Sequence, residues 1–235
     1  DIQPLADKLF AEIKGRMQDV DLSVPVFRNG YHYYTRMEAG KQYPINCRRR
    51  AGANKAWDAK APEEILLDQN ALAEGHKFFS VSTMEISPDN AYLVYSTDTT
   101  GFRQYAMHVK DLRTGKLLPD TAQRVTSVAW ALDNKTIFFV QEDATTKRSD
   151  RLFRMTLGSA PQQVWHEAVE QFDLNVSSTR DDKYIQLDIH ATDTSEVRLL
   201  PAKRPLGEFQ SLGREKGHRY LVEHRDGTLY ITTNK

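Results

Sequence analysis

In a chain of 235 residues, 32 lysines and arginines balance 32 aspartates and glutamates, which removes a basic surface excess as the route to nucleic acid. No apolar run approaches the roughly 20 residues that span a bilayer, and the start, Asp1-Ile2-Gln3-Pro4, has neither the basic nor the apolar stretch of a signal peptide. A single cysteine, Cys47, excludes an internal disulfide and a cysteine-based zinc cluster and fits a reducing, cytoplasmic compartment.

Leu5, Leu9, Phe10, Ile13 and Met17 recur at three- and four-residue steps, which predicts an amphipathic helix over residues 4–18. Asp19 to Asp21 end the pattern and Pro25 prevents its return. From Val24 onward the chain reads as strands. Tyr31 to Arg36 is aromatic and β-rich, and Asn29-Gly30 before it is a hairpin signal. Gln42 to Arg48 is the expected partner strand, Ala51 to Ala61 a surface loop, and Glu63 to Leu67 a short strand. Gln69 to Lys77 reads as a turn or one helical turn.

A repeat follows. Ile86 to Tyr95, Trp130 to Phe139, Ser178 to Leu187 and Glu223 to Thr232 each read as a strand end, an Asp-centred turn and a strand with alternating apolar residues. Their aspartates, Asp89, Asp133, Asp182 and Asp226, stand at intervals of 44, 49 and 44 residues. Arg28-Asn29-Gly30-Tyr31 is an earlier copy, separated by an insertion. Gln104 to Leu112, Arg151 to Leu157 and Ser195 to Leu200 supply a third strand to three units. About four short antiparallel strands per 40–50 residues is the period of a propeller blade. The pattern predicts an all-β chain, an N-terminal extension over residues 1–22 that holds the short helix, followed by the first blades, about four, of a propeller over residues 23–235. Ile86, Leu93, Trp130, Phe138, Ile185 and Leu187 are the expected inter-blade core. The last unit stops after its second strand, so the chain is expected to belong to a longer protein and, by itself, to expose blade faces that favour association.

No stretch carries catalytic chemistry. Gly-x-Ser-x-Gly is missing, and Gly158-Ser159-Ala160-Pro161 reads as a turn. His166-Glu167-Ala168-Val169-Glu170 has a glutamate where a zinc helix needs its second histidine, and His218 and His224 lack partners at ligand spacing, so no metal is expected. No phosphate-cradling glycine motif occurs, and no cofactor is assigned. Arg48-Arg49-Arg50 reads as a solvated strand end. Asn134-Lys135-Thr136 and Asn175-Val176-Ser177 match the glycosylation pattern, idle in a cytoplasmic protein.

Several stretches taken in order carry a resemblance: Leu22-Ser23-Val24-Pro25, Gly30 to Arg36, Gly40 to Ile45, Glu64 to Asn70, Ala73 to His76, Phe78-Phe79-Ser80, Ser87-Pro88-Asp89, Tyr95 to Gly101 and, above all, Thr194-Ser195-Glu196-Val197-Arg198-Leu199-Leu200. The chain resembles the propeller portion of the prolyl oligopeptidase family of serine peptidases, in its oligopeptidase B branch rather than its proline-specific one. The resemblance implies a seven-bladed propeller joined to an α/β-hydrolase domain that carries the Ser-Asp-His triad and an acidic pocket for Arg or Lys side chains. None of those positions lies in this chain. It implies an N-terminal extension that packs on the hydrolase, and a propeller that covers the active site and restricts substrates to short peptides. Arg103, within Gly101-Phe102-Arg103-Gln104-Tyr105, falls where that branch carries an interdomain arginine. Lys77 stands where some relatives carry an acid. The expected partners are therefore short basic peptides and the hydrolase domain, with no nucleic acid and no membrane. Two rival readings are a stand-alone peptide- or protein-binding propeller, and the propeller of a proline-specific enzyme.

Overall fold

The computed structural model describes residues 2–16 and 20–235. Met17 and Asp19, read from the sequence as the end of the first helix, lie outside them. Residues 1–75 and 76–235 form two compact units.

The first unit begins with α1 (Gln3–Arg16). Its apolar stripe, Leu5, Leu9, Phe10 and Ile13, faces solvent, each residue at least 48% exposed. A meander follows, β1 (Val26–Arg28), β2 (Tyr31–Arg36), β3 (Ile45–Arg50) and β4 (Glu63–Asp68), paired in chain order. Asn29 and Gly30, both at positive φ, make the two-residue turn joining β1 to β2. The strand expected at Gln42 begins only at Ile45. Tyr43 is held outside it by Asn70, whose side chain accepts from its N–H and donates to its carbonyl. Asn70 itself lies in the first turn of α2 (Gln69–Ala73), capped by Asp68.

Of the three arginines of β3, Arg50 is exposed as expected of a solvated end, but Arg48 and Arg49 are not. Arg48 is 5% exposed, pairs with Glu64 at 2.8 Å and lies over the Tyr31 ring. Arg49, on the opposite face, donates to the Tyr34 hydroxyl. Strand alternation places each cation against an aromatic ring or hydroxyl that covers its stem. Cys47 is buried beside Tyr34 and Ile45, and burial pushes its thiol up to about 11.

In the second unit the sheets are β5 (Ser80–Ile86) to β8 (Leu117–Ala122), with β6 (Tyr92–Asp98) and β7 (Ala106–Asp111) between them. Next come β9 (Val125–Trp130), β10 (Thr136–Glu142), β11 (Ser149–Thr156) and β12 (Gln162–His166). They are followed by β13 (Asp173–Ser178), β14 (Tyr184–His190), β15 (Ser195–Pro201) and β16 (Gln210–Arg214), then the pair β17 (Tyr220–Arg225) and β18 (Thr228–Thr233). The described residues thus form four four-stranded antiparallel meanders and one two-stranded sheet.

Both faces of the β9–β12 sheet are buried, which is why β10 reads Thr-Ile-Phe-Phe-Val with no polar alternation. Ile137 and Phe139 pack with Val94, Met107 and Val109 of the preceding sheet. Phe138 and Val140 pack with Leu174, Ile185, Leu187 and Leu200 of the following one. Val197 and Leu199 on the far side of β15 meet Tyr220 and Val222 of β17. Sheets stacked face to face in chain order are the blade packing of a propeller. Of the expected core, Leu93, Trp130, Phe138, Ile185 and Leu187 are buried, while Ile86 is half-buried.

The repeated turns correct the sequence alignment by one residue. Ser87, Ala131 and Thr179 each donate their N–H to the carbonyl five residues on, and Asn90, Asn134 and Asp182 occupy the left-handed position, φ 62°, 59° and 56°. The carboxylate that closes the third turn is therefore Asp181, which accepts from Lys183 N and Thr179 Oγ1. Asp182 is its left-handed neighbour. Asp226-Gly227 differs again, a two-residue turn like Asn29-Gly30.

Candidate functional site

A meander sends its first and third turns to one edge of the sheet, and its second turn and exit to the other. In the second unit the Asp-closed turns share the first edge and join neighbours: Asp89 N donates to Asn134 Oδ1 at 3.0 Å, and His224 Nδ1 lies 2.7 Å from Asp181 Oδ2. Thr179, Asp181 and His224 form a hydroxyl–carboxylate–imidazole chain, but the hydroxyl donates to the carboxylate rather than to the imidazole. That order locks a turn and does not activate a nucleophile. Burial would raise the Asp181 carboxyl, and the bonds from His224, Thr179 and Lys183 outweigh it and hold it below the ordinary aspartate range.

The opposite edge carries the second turns, and its most built loop follows β6. Asp98 is 1% exposed and accepts from Thr100 N at 2.8 Å, Thr100 Oγ1 at 2.6 Å and Arg103 N at 2.8 Å. Burial pushes this carboxyl up, but its donors win and keep it ionised below the usual range. Gly101 turns at φ +80° beside the Phe78 ring, and Arg103 sits in the left-handed region at φ 59°. The loop thereby holds Phe102 in solvent, 77% exposed, with Arg103 beside it. Among the described residues the Arg103 guanidinium has no ion-pair partner. An aromatic and an arginine on a fixed loop are the residue types that anchor protein interfaces. The turn itself has a sequence signal, Asp98-Thr99-Thr100-Gly101 being an Asx-turn sequence, but nothing in it marks Asp98 as buried.

Other marked residues are dispersed. Gly158-Ser159 forms a turn in which Gly158 N donates to Asp120. His218 bonds Thr233 whereas His224 bonds Asp181, so the two imidazoles are not brought together. Lys77 is exposed. Glu167, in the histidine–glutamate stretch, is buried and ion-paired to Arg214, which also binds Glu196. That network was not found from sequence, because Glu167 lies in one unit of the repeat while Glu196 and Arg214 lie in the next. Among the described residues no cluster of three potential metal ligands occurs, and no helix is long and apolar enough to cross a membrane.

Between β13–β15 and β17–β18 runs a groove of about 550 Å³ that includes Asp188, Arg219 and Tyr220. Burial pushes the Asp188 carboxyl above the ordinary range, offset only in part by the Gln186 and Asn175 amides. A raised carboxyl favours the protonated folded state. Its ionisation therefore costs nothing below an ordinary aspartate pKa and reaches full cost once pH exceeds the raised value. Asp188→Asn should accordingly raise Tm at pH 7, with the gain fading as pH falls into the ordinary aspartate range. Melts across that span check this, and a gain independent of pH would contradict it.

Over residues 1–235 the sequence matches the family described as prolyl oligopeptidase, N-terminal beta-propeller domain. It is 38% identical to dipeptidyl aminopeptidase BI of Pseudoxanthomonas mexicana, over 99% of this chain and 34% of that protein. It is 32% identical to Protease 2 of Moraxella lacunata, over 100% of this chain and 35% of that protein. Among solved structures it is similar to oligopeptidase B of Leishmania major, with TM-score 0.91 and 27% identity over 100% of this chain and 34% of that one. It is also similar to oligopeptidase B of Trypanosoma brucei in a closed form with covalently bound antipain, with TM-score 0.87 and 29% identity over 100% of this chain and 33% of that one. The chain spans about a third of the length of these relatives.

Proposed function

The chain belongs to the prolyl oligopeptidase family, as its N-terminal β-propeller domain, and we propose that it is the non-catalytic propeller of an oligopeptidase B-like serine peptidase. On this reading the parent enzyme cuts short peptides after Arg or Lys through a Ser-His-Asp triad in a separate hydrolase domain. The propeller, completed to seven blades, limits substrates by size, and the compartment is the cytoplasm, in keeping with a lone buried cysteine. The observation that carries the reading is the likeness of the whole chain to oligopeptidase B at TM-score 0.91. Two features of the structure suit a hydrolase partner: the exposed stripe Leu5, Leu9, Phe10 and Ile13 on α1, and the Phe102–Arg103 loop. The 38% identity to a dipeptidyl aminopeptidase favours a second reading, release of dipeptides from free N-termini.

Fluorogenic peptides ending in Arg distinguish the two in the protein that carries this chain. Efficient cleavage of an N-terminally blocked short substrate, falling off as the same sequence is presented in longer polypeptides, is expected of a size-gated endopeptidase. Cleavage confined to unblocked dipeptides supports the second reading, and no cleavage of either overturns both. In that protein Arg103→Ala is expected to lower kcat/KM about tenfold, the equivalent of about 1.4 kcal/mol of lost domain closure. Stability should change by no more than about 0.5 kcal/mol, because the side chain is exposed. Unchanged kcat/KM would remove Arg103 from the interdomain contact.

A further inference from the structure

Asn175, Asp188 and Val197 are paired in one row across β13, β14 and β15. Leu174, Val176, Leu187 and Ile189 belong to the core on one face of that sheet, so strand alternation sends Asn175 and Asp188 to the other. There they line the groove of about 550 Å³ beside β17 and β18, a volume within the range of small-molecule sites. β14 is paired on both sides, which covers its backbone. What Asp188, half-buried, still exposes is therefore its side chain, in the groove.

This carboxylate is placed unlike its neighbours. Glu142, Asp150, Glu167 and Glu196, buried in the same unit, each hold an arginine. Asp188 accepts only from two neutral amides, Gln186 Nε2 at 2.8 Å and Asn175 Nδ2 at 3.4 Å. Among the described residues it has no ion-pair partner, and no donor is bonded to the Asn175 side-chain carbonyl. A carboxylate that burial disfavours, oriented by amides, left without a counter-ion and set in a groove, has the marks of a binding group rather than of a structural tie.

We propose that this groove binds an organic monocation with a primary ammonium head, the head on the Asp188 carboxylate and the Asn175 side-chain carbonyl, and the stem along Tyr220 and Leu221. An ammonium brings three donors and no acceptor, which suits two acceptors held side by side on paired strands, one of them charged. A divalent metal takes several oxygen ligands, and among the described residues no cluster of three potential metal ligands occurs. Arg219, exposed along the groove, and His190, near enough to act on Asp188, disfavour a second positive charge on the ligand. Glu196 also lines the groove but is engaged by Arg198 and Arg214. A free amine and the N-terminus of a peptide share this chemistry. The site is independent of the peptidase reading.

The test titrates the protein that carries this chain, by calorimetry, with phenethylamine and with Gly-Phe amide, each beside its neutral counterpart, 2-phenylethanol or acetyl-Gly-Phe amide. At least one ammonium should bind saturably, and the one that binds identifies the source. Its neutral counterpart should bind at least about tenfold more weakly, the worth of one hydrogen bond to a charged group. Asp188→Asn, which folds at least as well, should abolish this binding while raising Tm. A cation held anywhere else in the protein survives that change. Asn175→Ala keeps the carboxylate and should weaken binding by a smaller factor. Asp226→Asn removes an equal charge from the exposed β17–β18 turn and should leave affinity unchanged. No saturable binding at about 20 mM, equal binding of a neutral counterpart, affinity unchanged in Asp188→Asn, or an equal loss in Asp226→Asn would overturn the proposal.

Discussion

Phe138→Ala is expected to destabilise the protein by about 3–5 kcal/mol, the cost of deleting a fully packed phenyl ring. Phe138 is 0% exposed, in the middle of β10, and its cluster draws on two sheets at once: Val140 and Leu152 on its own side, Ile185, Leu187 and Leu200 on the other. Backbone pairing on both sides of β10 fixes the walls of the resulting hole. The site therefore collapses poorly, and the cost falls in the upper part of the range for large-to-small changes. Denaturant unfolding measures it as a lower midpoint at unchanged slope. Phe102→Ala is the control, within about 0.5 kcal/mol because its ring is already in solvent. A Phe138→Ala loss below about 1 kcal/mol would mean the two sheets do not share a rigid core.

The strand pattern and the stacking of sheets were legible because they rest on period-2 alternation and turn chemistry, both local signals. Ile137 and Phe139 face one neighbour and Phe138 and Val140 the other, and a run with no polar alternation reads directly as a strand buried on both faces. The turn residue was less secure. Asp181 and Asp182 are adjacent and of one type, so only the hydrogen bonds decide which closes the turn and which takes the left-handed position. Charge was the least legible quantity. Arg48 looked solvated beside two further arginines, but Tyr31 and Glu64, 17 and 16 residues away in sequence, bury it through cross-strand pairing. Phe102 and Arg103 are a similar case. Their family resemblance was visible, while the buried Asp98 that sets their presentation emerged only from its three hydrogen bonds.

The second large effect is expected at Arg214, a residue that no sequence pattern marked. Its Nε donates to Glu196 at 2.8 Å and its Nη2 to Glu167 at 2.5 Å, and the guanidinium lies 4.2 Å over the Phe172 ring. Glu167 follows β12 and Glu196 lies in β15, so one arginine ties two sheets together. Both carboxylates are 5% exposed at the side chain. Burial would push the Glu196 carboxyl up, but Ser211 and Arg214, with Arg198 nearby, hold it below the ordinary range. Arg214→Met keeps much of the stem packing and removes the charge. It leaves Glu196 with Arg198 and the Ser211 hydroxyl, and Glu167 with the Val169 N–H. Breaking a buried pair on one side costs about 3–5 kcal/mol. The lower end applies here, because Arg214 retains 26% exposure and water screens part of the pair. The sign of the pH dependence follows from Glu196. A depressed carboxyl contributes stability above the ordinary glutamate range and loses it as pH falls through the lowered value. The Arg214→Met deficit should therefore be full at pH 7 and shrink on acidification, as protonation removes the stranded charge. Adding Glu167→Gln to Arg214→Met should recover part of the loss at pH 7, a coupling that a double-mutant cycle reads directly. A deficit that is constant with pH and strictly additive with Glu167→Gln would assign the effect to lost contact with Phe172 rather than to the ionic tie between the sheets.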